Sequence, residues 1–123
     1  MQTQVTRTFS FEAAHQLDWH SGACKNLHGH SYRLEVTVSG PLTNDGIVID
    51  FADLSALVQR EVIDRVDHRN LNVDVEFMRG VNPTAENIVV ACWRVLERHV
   101  MPGRLRRLRL WETENNYVEY EGA

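Results

Sequence analysis

The hydrophobic period of this chain changes twice, and that ordering restricts the fold more than any other feature. Residues 4–15 alternate: Val5, Arg7, Phe9, Phe11, Ala13 and His15 share one parity, and Gln4, Thr6, Thr8, Ser10 and Glu12 the other. Residues 30–38 alternate as well, with His30, Tyr32, Leu34, Val36 and Val38 on one side and Ser31, Arg33, Glu35 and Thr37 on the other. A period of two with one mostly apolar face predicts half-buried strands. A turn signal, Asn44-Asp45-Gly46, is followed by Ile47-Val48-Ile49, which reads as a short strand. The period then lengthens. Leu54, Leu57, Val58, Val62 and Val66 recur at helical spacing behind Asp50, a good N-cap, with Asp53 in the first turn, so a helix is expected over 51–66. A second helix is expected behind Thr84 as N-cap, with Glu86 in its first turn, a buried stripe of Ile88, Cys92, Val95, Leu96 and His99, and a stop at Pro102-Gly103. Two more strands are expected at about 105–112 and 116–121.

Strands first, helices next and strands last imply an α+β fold, a four-stranded antiparallel sheet with two helices on one face. Such a sheet leaves two exposed edges, and joining edges between subunits would cover them.

The chain of 123 residues suits one domain over 1–123. A formal net charge of −4 argues against nucleic acid as a partner. Its one basic cluster, Arg104 to Arg109, alternates with leucine and reads as a solvated strand face or a patch for an anionic substrate. No stretch approaches the ~20 apolar residues of a membrane span, and residues 1–9 lack the apolar core of a signal peptide. Two cysteines, Cys24 and Cys92, make no disulfide framework. The expected setting is the cytoplasm, with free thiols.

The histidines carry the chemistry. His28 and His30 are two apart, so an early start to the second strand puts both on one face. His15 ends the first strand on its apolar parity. The three imidazoles can meet at one end of the sheet, and three neutral imidazoles with an open position are a common catalytic zinc arrangement. Gly29 between them would allow close backbone approach or an unusual dihedral. Cys24 is either a fourth ligand closing a structural site or a reactive thiol whose pKa a nearby cation lowers. Cys92, on a helix stripe, reads as core. His20 reads as a loop residue. Asp67 and His68, just past a helix end, are either a base with its tuning carboxylate or a polar loop. Glu112, on the parity of Leu108 and Leu110, calls for a ligand rich in N–H donors or a buried salt bridge.

The stretches FEAAHQL, CKNLHGHSYRLEV, GIVIDFADL, VDHRNLN, NPTAENI and WETENNYVEY together resemble the 6-pyruvoyltetrahydropterin synthase family, in particular its 6-carboxytetrahydropterin synthase branch. The resemblance implies a T-fold (tunnelling fold) subunit in an oligomeric barrel, a homo-trimer or hexamer with active sites at subunit interfaces. It implies Zn2+ on His15, His28 and His30, and Cys24 as catalytic thiol with Asp67 and His68 as relay partners. By the same resemblance Glu112 grips the pterin, and Thr84 and Glu86 line the same pocket. The implied reaction converts 7,8-dihydroneopterin triphosphate to 6-carboxytetrahydropterin, acetaldehyde and triphosphate, on the route to queuosine. The short Cys-x3-His-Gly-His gap resembles the carboxy-forming branch, and Cys24 stands where a further branch carries glutamate nearby. Rival readings are the pyruvoyl reaction on the same fold and a non-catalytic, zinc-stabilised pterin-binding oligomer.

Overall fold

The computed structural model of the chain describes residues 2–19, 22, 25–100 and 104–122. Two long strands, β1 (Thr3–His15) and β2 (His28–Gly40), form an antiparallel pair in unbroken register from Thr3↔Gly40 to His15↔His28. β4 (Leu105–Thr113) pairs antiparallel with β2, and β5 (Asn116–Tyr120) antiparallel with β4. A fifth, two-residue strand, β3 (Arg69–Asn70), lies parallel to β1 at Ala13 and Ala14, which gives the order β3-β1-β2-β4-β5.

That fifth strand departs from the expected four-stranded antiparallel sheet. It exists because His68 adopts a left-handed φ of 59°, which turns the chain back along β1. Its N–H then donates to the Glu12 carbonyl and that of Leu71 to the Ala14 carbonyl. A second departure is 47–49, which forms a bend and not a strand. The Ile47 carbonyl accepts from Thr43 N–H in a local turn, and the Val48 carbonyl accepts from the Arg104 guanidinium. These groups are therefore spent before any strand can claim them.

The first helix, α1, begins at Phe51–Val58, where Asp50 caps the Ala52 N–H at 2.7 Å. It runs through a π-helical stretch, Gln59–Ile63, into Asp64–Val66. The second, α2 (Ala85–Leu96), is capped by Thr84, whose hydroxyl accepts from Asn87 N–H. It ends at Leu96, so His99 does not belong to the buried stripe; it is exposed and pairs with Glu61. The stop signal Pro102-Gly103 lies outside the described residues.

Both helices pack on one face of the sheet. Phe11, Tyr32, Leu34, Val36, Leu108 and Leu110 from the strands meet Leu54, Val58, Val62, Val66, Ile88, Cys92 and Leu96 from the helices, all buried. Each such side chain removed from water contributes about 1.5–3 kcal/mol. Two arginines of the Arg104–Arg109 cluster are engaged outside this core. Arg109 pairs with Glu119 and lies over the Tyr117 ring, and Arg104 hydrogen-bonds the Ser39 and Val48 carbonyls. These two arginines, each part-buried, serve the fold.

Candidate active site

Strand parity delivers three imidazoles to one spot. His15 follows Phe9, Phe11 and Ala13 on the buried face of β1 and is itself fully buried. The register sets it opposite His28, and β2 begins early enough for His28 and His30 to share a face. The Nε2 atoms of His15 and His28 lie 3.1 Å apart, and those of His28 and His30 3.0 Å apart. All three ligand atoms fall within 4.8 Å of one another.

Two of the tautomers follow from the other ring nitrogens. His15 Nδ1–H donates to the Pro83 carbonyl at 2.7 Å, and His28 Nδ1–H donates to the Asn26 carbonyl at 2.7 Å. Each neutral ring then carries its lone pair on Nε2, aimed at the cluster centre. Burial pushes the His30 imidazole below its ordinary pKa range, outweighing the pull of Glu112, and so favours the neutral form of that ring. Lone pairs converging this closely repel unless a cation lies between them. Tetrahedral zinc with bonds of about 2.0–2.1 Å spaces its nitrogens about 3.3–3.4 Å apart, close to the spacing here. The donor set therefore fits a borderline divalent ion.

Glu112 reaches the cluster from β4. Its Oε1 lies 4.0 Å from His30 Nε2, and its side chain is 26% exposed. Among the described residues no lysine or arginine pairs with it, so the salt-bridge alternative has no partner there. It lines a groove of ≈ 510 Å³ between β2 and the end of β4, together with Gly29, His30, Ser31, Arg33, Trp111 and neighbours. Trp111 is held by an Nε1–H bond to Glu35 and by Arg33 stacked 4.6 Å above its ring.

A second groove of ≈ 500 Å³ flanks His30 on the β1 side and includes Glu12, His68, Arg69 and Asp74. Asp67 Oδ1 accepts from the Glu12 N–H at 2.9 Å and lies 3.1 Å from His68 Nδ1. The bond from Glu12 holds the Asp67 carboxyl below its ordinary range. Neighbouring side chains seldom meet in regular structure; these do because His68 is left-handed.

Not every expected site residue arrives here. Thr84 is occupied as a cap, Glu86 is exposed in the first turn of α2, and neither lines the two grooves. Cys24 and His20 lie outside the described residues. Cys92 is fully buried in the core, where burial pushes its thiol up to about 12. The carbonyls of Pro83 and Asn26, which aim two histidines, had no signal in the sequence, because any residue supplies a carbonyl.

A family model described as 6-pyruvoyl tetrahydropterin synthase matches residues 4–123. The chain belongs to the 6-pyruvoyl tetrahydropterin synthase family. It is 37% identical to the 6-pyruvoyl tetrahydrobiopterin synthase of Pongo abelii, over 98% of this chain and 92% of that protein. It is 34% identical to the 6-carboxy-5,6,7,8-tetrahydropterin synthase of Haemophilus influenzae, over 96% of this chain and 98% of that protein. Among solved structures, the Caenorhabditis elegans 6-pyruvoyl tetrahydropterin synthase superposes with a TM-score of 0.91 at 32% identity, covering 100% of this chain and 97% of that one. The fold is thus the T-fold of the family, with one sheet and two helices. Relatives of comparable identity carry both the pyruvoyl and the carboxy name, so membership assigns a pterin-synthase class and not a product. No helix among the described residues is long and apolar enough to cross a membrane.

Proposed function

We propose that this member of the pterin synthase family is a zinc-dependent 6-carboxy-5,6,7,8-tetrahydropterin synthase. It would act as a carbon–carbon lyase on 7,8-dihydroneopterin triphosphate, releasing 6-carboxytetrahydropterin, acetaldehyde and triphosphate for 7-deazapurine (queuosine) synthesis. The observation that carries the reading is the convergence of three imidazole Nε2 atoms, with the Glu112 carboxylate, which has no lysine or arginine partner among the described residues, 4.0 Å from one of them. An acceptor for N–H donors beside a metal-binding cluster suits a ligand that joins an amino-pyrimidinone edge to an oxygen-bearing side chain.

His15, His28 and His30 would hold the zinc ion, which supplies Lewis acidity to substrate oxygens when bound. Glu112 orients the ring by accepting its adjacent N–H groups. Cys24 would be the proton acceptor, since the thiolate is the reactive form of a cysteine. Asp67 fixes the His68 ring through its contact with Nδ1, which leaves Nε2 to pass protons. Thr84 and Glu86, which line neither groove of this chain, would border the substrate only once subunits assemble.

The short Cys24-x3-His28 spacing supports the carboxy route over the pyruvoyl one. Two further features support a homo-oligomer, a trimer or hexamer with shared active sites. Among the described residues, no strand pairs with the outer edge of β1 over residues 3–11 or with that of β5. The grooves beside His30 are open on the same molecule. The reading places the enzyme in the cytoplasm.

The test is to incubate zinc-loaded protein with dihydroneopterin triphosphate and identify products by mass. Acetaldehyde with a 6-carboxy product is expected. A 6-pyruvoyl product without acetaldehyde would assign the pyruvoyl reaction, and no turnover by intact zinc protein would leave a pterin-binding oligomer.

A further inference from the structure

Glu112 stands where β4 is leaving its ladders. On one side, the β2–β4 pairing ends at Arg33↔Trp111, and the groove that Glu112 lines opens beyond that pair. On the other side, Trp111 faces Tyr117 and Thr113 faces Asn116, so Glu112 is an extra residue, a β-bulge against β5. A bulge re-aims a side chain, and a slip of one residue would exchange the side chain that faces the histidines. The register must therefore be fixed close by. Trp111 is the last residue of β4 paired on both sides.

Trp111 has the parity of Arg107 and Arg109, opposite to that of the buried Leu108 and Leu110, so its ring lies on the sheet face away from the core. It is clamped there. Its Nε1–H donates to Glu35, the Arg33 guanidinium lies 4.6 Å from its ring centroid, and the Tyr117 ring lies 4.5 Å away. Each partner is held in turn. Arg33 Nη2 is 3.8 Å from Glu35, and Arg109, paired with Glu119, lies 4.4 Å from the Tyr117 ring. Arg33 and Glu35 belong to β2, and Tyr117 to β5. The indole thus ties together the strands on both sides of β4, one residue before the bulge.

We propose that Trp111 is the positioning residue of Glu112: the clamp of Glu35, Arg33 and Tyr117 on its indole fixes the bulge that follows, and so holds the carboxylate beside His30. The inference rests on the reading of Glu112 as the pterin anchor and adds what aims it. The 4.0 Å between Glu112 Oε1 and His30 Nε2 is then set from the far face of the sheet. A carboxylate that accepts two N–H groups side by side tolerates little misplacement, because hydrogen bonds weaken steeply away from linearity.

The experiment measures pterin binding to zinc-loaded protein by equilibrium dialysis, in a double-mutant cycle of Trp111→Leu and Glu112→Gln. Trp111→Leu should weaken pterin about tenfold in the wild-type background. It should leave the affinity unchanged in the Glu112→Gln background, where the anchor is already gone. Zinc should stay at its wild-type level throughout. Trp111→Phe and Glu35→Ala each remove the bond from indole to carboxylate and should weaken pterin about threefold, whereas Glu35→Gln keeps an acceptor and should bind as wild type does. If leucine prevents folding, Trp111→Phe takes its place in the cycle. Equal losses in both backgrounds would refute the proposal and assign Trp111 to direct contact with the ligand. Unchanged affinity in the Trp111 variants would refute it as well. Loss of zinc together with pterin would overturn it by showing that the indole supports the histidine cluster and not the carboxylate. Failure of wild type to bind pterin would overturn the pterin reading itself, and this inference with it.

Discussion

Replacing Glu112 with glutamine separates ligand recognition from both folding and metal binding. The structure sets the magnitudes. Glu112 is part-exposed, and its one ionisable partner among the described residues is the His30 imidazole, at 4.0 Å. No permanent cation is paired with it, so Glu112→Gln breaks no ion pair, and stability should move by no more than about 0.5 kcal/mol, as at ordinary surface positions. Binding is a different matter. The carboxylate can accept two N–H groups side by side, each such charged bond contributing about 1.5–3 kcal/mol. Glutamine keeps one acceptor, without charge, and turns an NH2 against the second donor. The net loss is about 3 kcal/mol, or roughly a hundredfold in the Kd for pterin. A fluorescence titration with pterin, a thermal melt and a zinc assay on the same sample read all three quantities. A Kd within threefold of wild type would refute the anchoring role. A large drop in melting temperature with unchanged Kd would mean the carboxylate serves an ion pair in the assembled protein.

Zinc should be retained at about one per chain in wild type and lost in His28→Ala, since two imidazoles make a poor tetrahedral site; stoichiometric zinc in the variant by plasma mass spectrometry would reject the ligand set. Iodoacetamide at pH 8 should label Cys24 well ahead of Cys92. With its pKa raised to about 12, Cys92 is protonated at all lower pH values and gains thiolate only as pH climbs toward 12, so equal labelling rates in the folded protein would contradict its burial. His68→Gly should keep or raise stability, by up to about 1 kcal/mol in urea unfolding, because glycine accepts φ 59° without strain. The same change should slow turnover through loss of the ring; unaltered kcat would remove His68 from proton transfer.

Much of the site could be read from the one-dimensional pattern, and the reason is the strand. Side chains alternate strictly, so His15 on the parity of Phe9 and Phe11, and His28 with His30, were bound to share a face once 4–15 and 28–38 were strands. Helix starts at Asp50 and Thr84 were legible for a similar reason, since capping is decided within a few residues. Composition and periodicity also determined the α+β class, because each element can bury only one face.

What depends on distant partners was not legible. That 47–49 is a bend depends on Arg104, far along the chain, taking the Val48 carbonyl. The fifth strand depends on a left-handed φ at His68, which no pattern of apolar residues encodes, and that same dihedral brings Asp67 and His68 together. The glycine between the histidines looked like a backbone necessity, but the structure leaves it room for a side chain. Above all, the tautomers of His15 and His28 depend on the Pro83 and Asn26 carbonyls. Local periodicity thus determined which imidazoles could meet. Only the tertiary fold decided where their lone pairs point, because backbone acceptors carry no residue identity and are brought into place by the packing of the whole chain.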